Sequence, residues 1–190
     1  MWINWNDLPE SMKNEQVRHY YKILKKKQGS LIVKRGFDIV ASLVMLILLS
    51  WLFLILAVAI KVDSHGPVFY RQVRVTTGNR DFRIFKFRTM INNADKIGSL
   101  VTTGNDSRIT RIGAKIRKCR LDEIPQLLNI LKGEMSFVGT RPEVRKYVDR
   151  YTDEMMATLL MPAGVTSLAS ISFKDDPIQY QLEKEFFPKH

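Results

Sequence analysis

From Ile39 to Ile60 the chain runs for 22 residues without a charge, IVASLVMLILLSWLFLILAVAI, and only Ser42, Ser50 and Trp51 interrupt its aliphatic side chains. Coiled as a helix this segment reaches about 33 Å, enough to cross a hydrocarbon core of roughly 30 Å. It is too long and too far from Met1 for the apolar core of a signal peptide, and no small-residue cleavage site follows it. The pattern predicts a membrane-embedded helix, either a single-pass anchor or one that bends and returns. Bends usually arise at proline or at Gly/Ser features, and Ser50, before Trp51, is the one such residue in mid-segment.

Shorter periodicities flank it. Glu10 to Lys27 predicts an amphipathic helix with Met12, Tyr20 and Leu24 on one side. Lys25, Lys26 and Lys27 at its C-terminal end either form a solvated end that complements the helix dipole or meet anionic headgroups. Gly29-Ser30 marks a break. Further on, Val68 to Val75 reads as a strand, Thr76-Thr77-Gly78-Asn79 as a turn, and Asp81 to Met90 as a second strand. Alternation places Lys86 and Arg88 on one face, about 6.6 Å apart, with Phe85 and Phe87 opposite. Such a pair can grip a diphosphate, or it is the solvated basic face of an ordinary strand.

From Asp106 the pattern turns helical, with Asp106 as N-cap and Ile109, Ile112 and Ile116 recurring among Arg108, Arg111, Lys115, Arg117, Lys118 and Arg120. Pro125 suits a first helical turn, so a second helix is predicted from Glu123 or Ile124 to a stop at Gly133. Asp122 and Glu123 then lie at a helix N-terminus, where acids also serve as plain caps. Thr140-Arg141-Pro142-Glu143 fits a capping box, predicting a helix from Arg141 to about Leu160, ended by Pro162-Ala163-Gly164. Arg141 is there a solvated side chain or an anion ligand. A last short helix is predicted over Pro177 to Phe187, with Ile178, Leu182 and Phe186 on one side.

Charge sharpens this picture. The net charge is +11, and residues 1–36 carry +5, residues 61–120 carry +10 and residues 121–190 carry −3. Both flanks of the apolar segment are therefore basic. Lys/Arg-rich flanks tend to remain cytoplasmic, and a helix that enters and leaves on one face satisfies both. The cations concentrated before Asp122 and Glu123 suit nucleic acid, anionic lipid or a phosphorylated substrate. A nucleic-acid binder would place base-stacking aromatics among the cations and would leave the paired acids without a role. One cysteine, Cys119, excludes an intramolecular disulfide, and His19, His65 and His190 show no zinc-ligand spacing.

The ordered blocks carry a resemblance. They are Lys34-Arg35-Gly36-Phe37-Asp38, Gly66-Pro67-Val68-Phe69 with Gln72 and Arg74, Lys86-Phe87-Arg88-Thr89-Met90, Asp106-Ser107-Arg108-Ile109-Thr110, and Arg117. Leu121-Asp122-Glu123-Ile124-Pro125-Gln126-Leu127, Asn129, Leu131 to Ser136 and Val138 to Glu143 complete them. In these residues, from roughly Lys34 to Ile171, the chain resembles the bacterial sugar transferases, specifically the small monotopic phosphoglycosyl transferases. Three departures stand out. Ser50-Trp51 replaces the usual Ser-Pro of the membrane helix, Thr140 replaces the first proline of Gly-Pro-Arg-Pro, and Ser167-Leu168-Ala169-Ser170 stands where many members have Gly-Trp-Ala-Gln.

The resemblance implies a helix-rich α+β fold with one re-entrant membrane helix and a small cytosolic domain built on a β-hairpin and several helices. With the amphipathic pattern before it read as an N-terminal extension over residues 1–33, it implies the membrane helix over 34–62 and a catalytic domain over 63–190 that lacks a C-terminal segment found in relatives. The activity implied is transfer of a sugar phosphate from a nucleoside-diphosphate sugar, UDP-linked by family habit, to polyprenol phosphate, which starts assembly of a cell-surface glycoconjugate. Asp122 would be the nucleophile, and Glu123 would position Mg²⁺ or manage protons, the two together holding the metal. Lys86, Arg88, Arg108, Arg117, Arg141 and Pro142 would bind substrate, while Lys34 and Arg35 would lie at the membrane interface. The partners implied are the nucleotide sugar, polyprenol phosphate, membrane lipids and a second copy of the chain, with no nucleic acid, at the cytoplasmic face of the bacterial inner membrane. An alternative within the family is a catalytically inactive relative that serves as an assembly partner.

Overall fold

The computed structural model describes residues 3–94 and 106–167. The helix predicted over Pro177–Phe187 lies outside the described residues. Within them the fold is α+β and helix-rich, with one antiparallel hairpin and one short parallel strand pair.

The long apolar segment is divided. Helix α2 (Gln28–Leu48) and helix α3 (Ser50–Asp63) meet at Leu49 with a bend of 61°. Among the described residues no single helix is long and apolar enough to cross a membrane, although this bent pair passes on length and composition. The bend forms without proline. Leu49 N still donates to Met45 O at 2.9 Å, and Phe53 N donates to Leu49 O at 3.0 Å, so hydrogen bonding continues on both sides of the turn. Phe37, Val40, Leu43, Ile47, Trp51, Leu54, Ile55 and Val58 remain exposed along the two arms. An apolar surface of that length on a soluble molecule marks an interaction site or a membrane contact.

The amphipathic helix is shorter than its pattern suggests. Helix α1 (Glu15–Lys26) is capped by Asn14, whose side chain accepts from Val17 N at 2.8 Å, and a separate 3₁₀ turn covers Glu10–Met12. Its buried face is Val17 and Tyr21 rather than Tyr20, which is exposed and donates to Glu154 at 2.9 Å. Gly29 and Ser30 do not break the chain: α2 has already begun, and the interruption falls at Lys27. Leu8, Met12, Val17 and Tyr21 share a core with Val75, Val148, Leu159 and Leu160, so the N-terminal residues are built into the domain.

Strands β1 (Phe69–Thr76) and β2 (Arg80–Phe87) pair antiparallel, with Phe69 opposite Phe87 and Thr76 opposite Arg80. The predicted turn supplies the left-handed conformations that reverse the chain, Gly78 at φ 69° and Asn79 at φ 56°. Helix α4 (Arg111–Lys118) starts later than predicted. Thr110 is its N-cap, accepting from Gly113 N at 3.0 Å, while Asp63 at the end of α3 accepts from Ile112 N at 2.9 Å. Asp106 instead folds back on Arg108.

Helix α5 (Gln126–Lys132) stops at Gly133, φ 80°, as its sequence requires. The capping box after it does not form. Gly139 N donates to Thr166 O at 3.0 Å and Gly164 N to Thr140 O at 2.7 Å, because strand β3 (Met135–Val138) pairs in parallel with β4 (Ala163–Thr166). The predicted Arg141–Leu160 helix is replaced by the four-residue helix α6 (Arg145–Val148) and a 3₁₀ turn over Met155–Leu160.

Two further clusters hold the layers together. Leu46 and Leu49 pack against Phe82, Ile84, Leu127 and Ile130. Leu52, Phe53, Leu56 and Ile60 pack with Phe87, Ile116 and Leu121. Each arm of the bent pair is therefore docked on a different part of the domain.

Candidate functional site

Arg120 adopts a left-handed conformation, φ 56°, at the end of α4 and turns the chain into a 3₁₀ turn over Leu121–Glu123. Ile124 N then donates to Leu121 O, Leu127 N to Ile124 O and Leu128 N to Pro125 O. These bonds, interrupted at Pro125, which has no N–H, join the turn carrying Asp122 and Glu123 to α5 as its prefix, and the helix proper starts at Gln126.

Asp122 opens on a cavity of about 230 Å³ whose wall includes Lys86, Arg88, Arg108, Arg117 and Arg74. Burial pushes its carboxyl above the usual aspartate range, Lys86 pulls it back, and Glu123 raises it further. Lys86 Nζ lies 3.0 Å from Glu123 Oε1, both side chains being about three-quarters buried. Lys86 thus reaches Glu123 from the end of β2.

Arg88 does not stand beside it. The strand ends at Phe87, and Arg88 turns inward to 5% exposure. Its guanidinium donates to Ser64 O at 2.6 Å, Ser64 Oγ at 2.9 Å and His65 O at 3.1 Å. These are groups at the C-terminal end of α3, where open carbonyls attract a cation. Arg88 therefore lines the cavity while its terminal nitrogens tie the end of α3 to the residue that follows the hairpin.

The remaining predicted cations are distributed differently. Arg117 Nε donates to Thr89 Oγ1 at 2.7 Å, which brings α4 against the segment after β2. Gly113 permits that approach, since a Cβ there would collide with the Thr89 carbonyl. Arg108 lines the cavity and forms a two-pronged pair with Asp106, whose carboxyl is drawn down to about 2 by the hydrogen bonds from Arg108. Arg141 is exposed and outside the cavity wall, but it lies close enough to repel the half-buried Arg74. Pro142 contributes its carbonyl, which accepts from Arg74 NH1 at 3.1 Å.

Lys34 and Arg35, predicted at a membrane interface, are engaged inside the protein. Lys34 donates to Ser136 and to Asp38, the latter at 3.4 Å. Arg35 donates to the carbonyls of Ile130 and Leu131 at 2.6 and 3.0 Å. Sequence reasoning missed the polar partners that organise these contacts: Asp38, Ser136 and Asn129, each almost completely buried. Asn129 accepts from Phe85 N at 2.9 Å and donates to Arg83 O at 3.0 Å, fastening α5 to the strand that carries Lys86. A carboxylate at the mouth of the apolar run, four positions after a lysine, was the legible signal for Asp38.

Among the described residues no group of three or more His, Cys, Asp or Glu side chains could hold a metal. Asp122 and Glu123 do supply hard oxygen donors, and Mg²⁺ commonly takes one or two carboxylates with phosphate oxygens and water completing its shell. The pair fits such an ion when a phosphorylated ligand is present.

The family model described as bacterial sugar transferase matches residues 29–186. Over 162 residues the chain is 41% identical to a UDP-N-acetylgalactosamine-undecaprenyl-phosphate N-acetylgalactosaminephosphotransferase of Aeromonas hydrophila, covering 82% of this chain and 38% of that protein. It is 40% identical over 152 residues to an undecaprenyl-phosphate glucose phosphotransferase of Komagataeibacter xylinus, covering 76% and 29%. With the exopolysaccharide production protein ExoY of Rhizobium meliloti it shares 37% identity over 160 residues, covering 76% and 71%. The chain thus spans less than two-fifths of the first two relatives.

Proposed function

The chain belongs to the bacterial sugar transferase family, and from that premise we propose that it transfers a sugar phosphate from a UDP-sugar to polyprenol phosphate through a covalent aspartyl intermediate. One observation carries the reading: the raised carboxyl of Asp122 opens on a cavity whose walls are rich in arginine and lysine. A cavity of that charge suits a diphosphate, and a carboxylate held beside it suits nucleophilic attack at phosphorus.

In the first step an Asp122 oxygen attacks the phosphorus that bears the sugar. The bond from that phosphorus to the bridging oxygen breaks, and the nucleoside monophosphate leaves with the electron pair. A phosphate oxygen of the polyprenol phosphate then attacks the same phosphorus. The bond to Asp122 breaks, the carboxylate is restored, and a polyprenyl diphosphate sugar is formed. Lys86 and Arg117 offset the charge of the bound diphosphate, and Arg141, outside the cavity wall beside Arg74, adds to the positive field. Asp122 and Glu123 would hold Mg²⁺ together with the donor's phosphates, and the ion when bound supplies further charge neutralisation there. As the donor takes over Lys86, Glu123 is released from its ion pair to serve that role.

The exposed apolar arms of α2 and α3 embed in the cytoplasmic leaflet on this reading, bent so that both ends return to the cytosol, where the donor is dissolved. That places the acids at the headgroup plane, where the acceptor's phosphate lies. The relatives differ in the sugar their names specify, N-acetylgalactosamine in one and glucose in another, so the sugar is assigned by assay.

The test uses the purified chain in lipid nanodiscs. Incubated with a UDP-sugar and no acceptor, it gains the mass of a phosphosugar on Asp122 and releases one equivalent of UMP; added polyprenol phosphate discharges the adduct. Equal turnover by wild type and Asp122→Asn overturns the mechanism.

A further inference from the structure

The contacts made by Arg35 and Asp38 are more than local packing. Arg35 spans from α2 to α5 and places both ends of its guanidinium on the carbonyls of Ile130 and Leu131, at the C-terminus of the helix whose N-terminal prefix holds Asp122. The Ile130 carbonyl also accepts from Gly133 N at 2.9 Å, and a cation at a helix C-terminus is favoured by the helix dipole. Three residues further along α2, Asp38 is 3% exposed and accepts from Ser136 Oγ at 2.8 Å and from Phe137 N at 3.2 Å, which holds the strand that follows α5. Lys34 supplies the counter-charge to Asp38. One turn of α2 thus holds α5 and β3 together through charge-assisted bonds.

A second set of polar contacts ties α5 to the hairpin. Asn129 joins it to β2, and Glu123 joins its prefix to Lys86. The acids therefore have two separate anchors: one to the hairpin that carries the donor-binding cations, and one to the helix that leads into the exposed apolar arm.

We infer that Arg35, Asp38 and Ser136 form a positioning clamp that fixes the height of Asp122 relative to the apolar arm, and so serves the acceptor step rather than the donor step. The inference rests on the two-step reading above. A donor arriving from water meets Asp122 through the hairpin, whose polar links to α5 and its prefix are made by Asn129 and Glu123, while α2 reaches the hairpin through the apolar contacts of Leu46 and Leu49 with the cluster of Phe82 and Ile84. A lipid acceptor arrives along the bilayer, so its phosphate meets Asp122 only if α5 is held in register with the embedded helix. A misplacement of about 1 Å can cost on the order of 100-fold in rate.

The experiment measures the half-reactions separately in nanodiscs, reading UMP release and adduct mass without acceptor, then adduct discharge on adding polyprenol phosphate. Arg35→Ala is expected to keep adduct formation within about threefold of wild type while slowing discharge about tenfold or more. Arg35→Lys, which retains the charge but not the two-pronged geometry, falls between. Asp38→Asn and Ser136→Ala follow Arg35→Ala in direction, and Ser136→Ala keeps the test open if Asp38→Asn fails to fold. Asn129→Ser shows the reverse split, with adduct formation more impaired than discharge. Equal slowing of both steps in Arg35→Ala and Ser136→Ala, or no slowing of either, overturns the clamp. Absence of any adduct in the wild type instead overturns the covalent mechanism, which separates the two failures.

Discussion

Lys86 and Glu123, 37 positions apart in sequence, are joined by a 3.0 Å ion pair that closes β2 onto the turn carrying the acidic residues. A cation already committed to Glu123 can be reassigned to a diphosphate at little cost, because one anionic partner replaces another. Lys86→Ala should lower kcat/KM on the order of 100-fold, the scale for removing a group that stabilises developing charge. Lys26→Ala, which alters an exposed side chain of α1, should leave it within about threefold. Steady-state kinetics on the two variants decides the matter, and similar rates in both would show that Lys86 is only a fold contact.

The raised carboxyl of Asp122 fixes a sign for the pH dependence. The folded state holds its proton at higher pH than the unfolded chain does, so this group's contribution to stability falls as pH rises through the folded value. Nucleophilic attack needs the ionised form, so the acid limb of adduct formation should lie above the ordinary aspartate value of 3.8. Asp122→Asn should abolish adduct formation yet melt no lower than wild type at neutral pH, since it removes a partly buried charge. A pH–rate profile with its acid limb at or below 3.8, or a variant that unfolds, contradicts this.

Arg88 gives a different outcome. Its guanidinium bonds to the end of α3 leave the carbonyls of Ser64 and His65 without that partner when the side chain is removed. Arg88→Ala should destabilise the fold by roughly 2–4 kcal/mol, with loss of activity following from loss of α3 docking. Denaturant titration in detergent reads the stability directly. A variant as stable as wild type but inactive would return Arg88 to the role of phosphate ligand.

Topology is tested with single cysteines at Ser30 and Val62, both exposed beyond the apolar run, in a Cys119→Ser background. An impermeant thiol reagent should label neither in intact cells and both in inverted vesicles. Labelling of one site in cells means that the segment spans. Trp51→Pro should be tolerated without loss of fold, since Trp51 stands in the first turn of α3, where a missing N–H does least harm.

Much of this was readable in the chain. Gly78 and Gly133 adopt left-handed conformations that few other residues accept, so the hairpin turn and the stop of α5 were marked by residue type alone. The Thr140 capping box was overridden because its neighbours bond to β4, a strand of four residues too short to show alternation. Arg88 lines the same cavity as Lys86, but its bonds to Ser64 and His65 were not legible, because those partners lie some twenty residues earlier in the chain. Lys86, Arg117 and Asp122 were legible and do share one cavity. Asp38, Asn129 and Ser136 stand among the matching motif residues but carried no role of their own, since a buried polar side chain acts through partners nearly a hundred or some forty residues away, which no local window contains.

The bend at Leu49 also constrains how the protein is made. No proline imposes it, and the side chains that dock its two arms, Phe82, Phe87, Ile116, Leu127 and Ile130, all follow the apolar segment in the chain. At ordinary elongation rates the segment emerges from the ribosome seconds before Ile130 does. During that interval nothing local distinguishes a bent pair from one straight helix, so the choice of topology belongs to translation timing and to whatever first holds the nascent segment. A proline writes the bend into the helix itself; in this chain it is written into residues that do not yet exist when the helix forms.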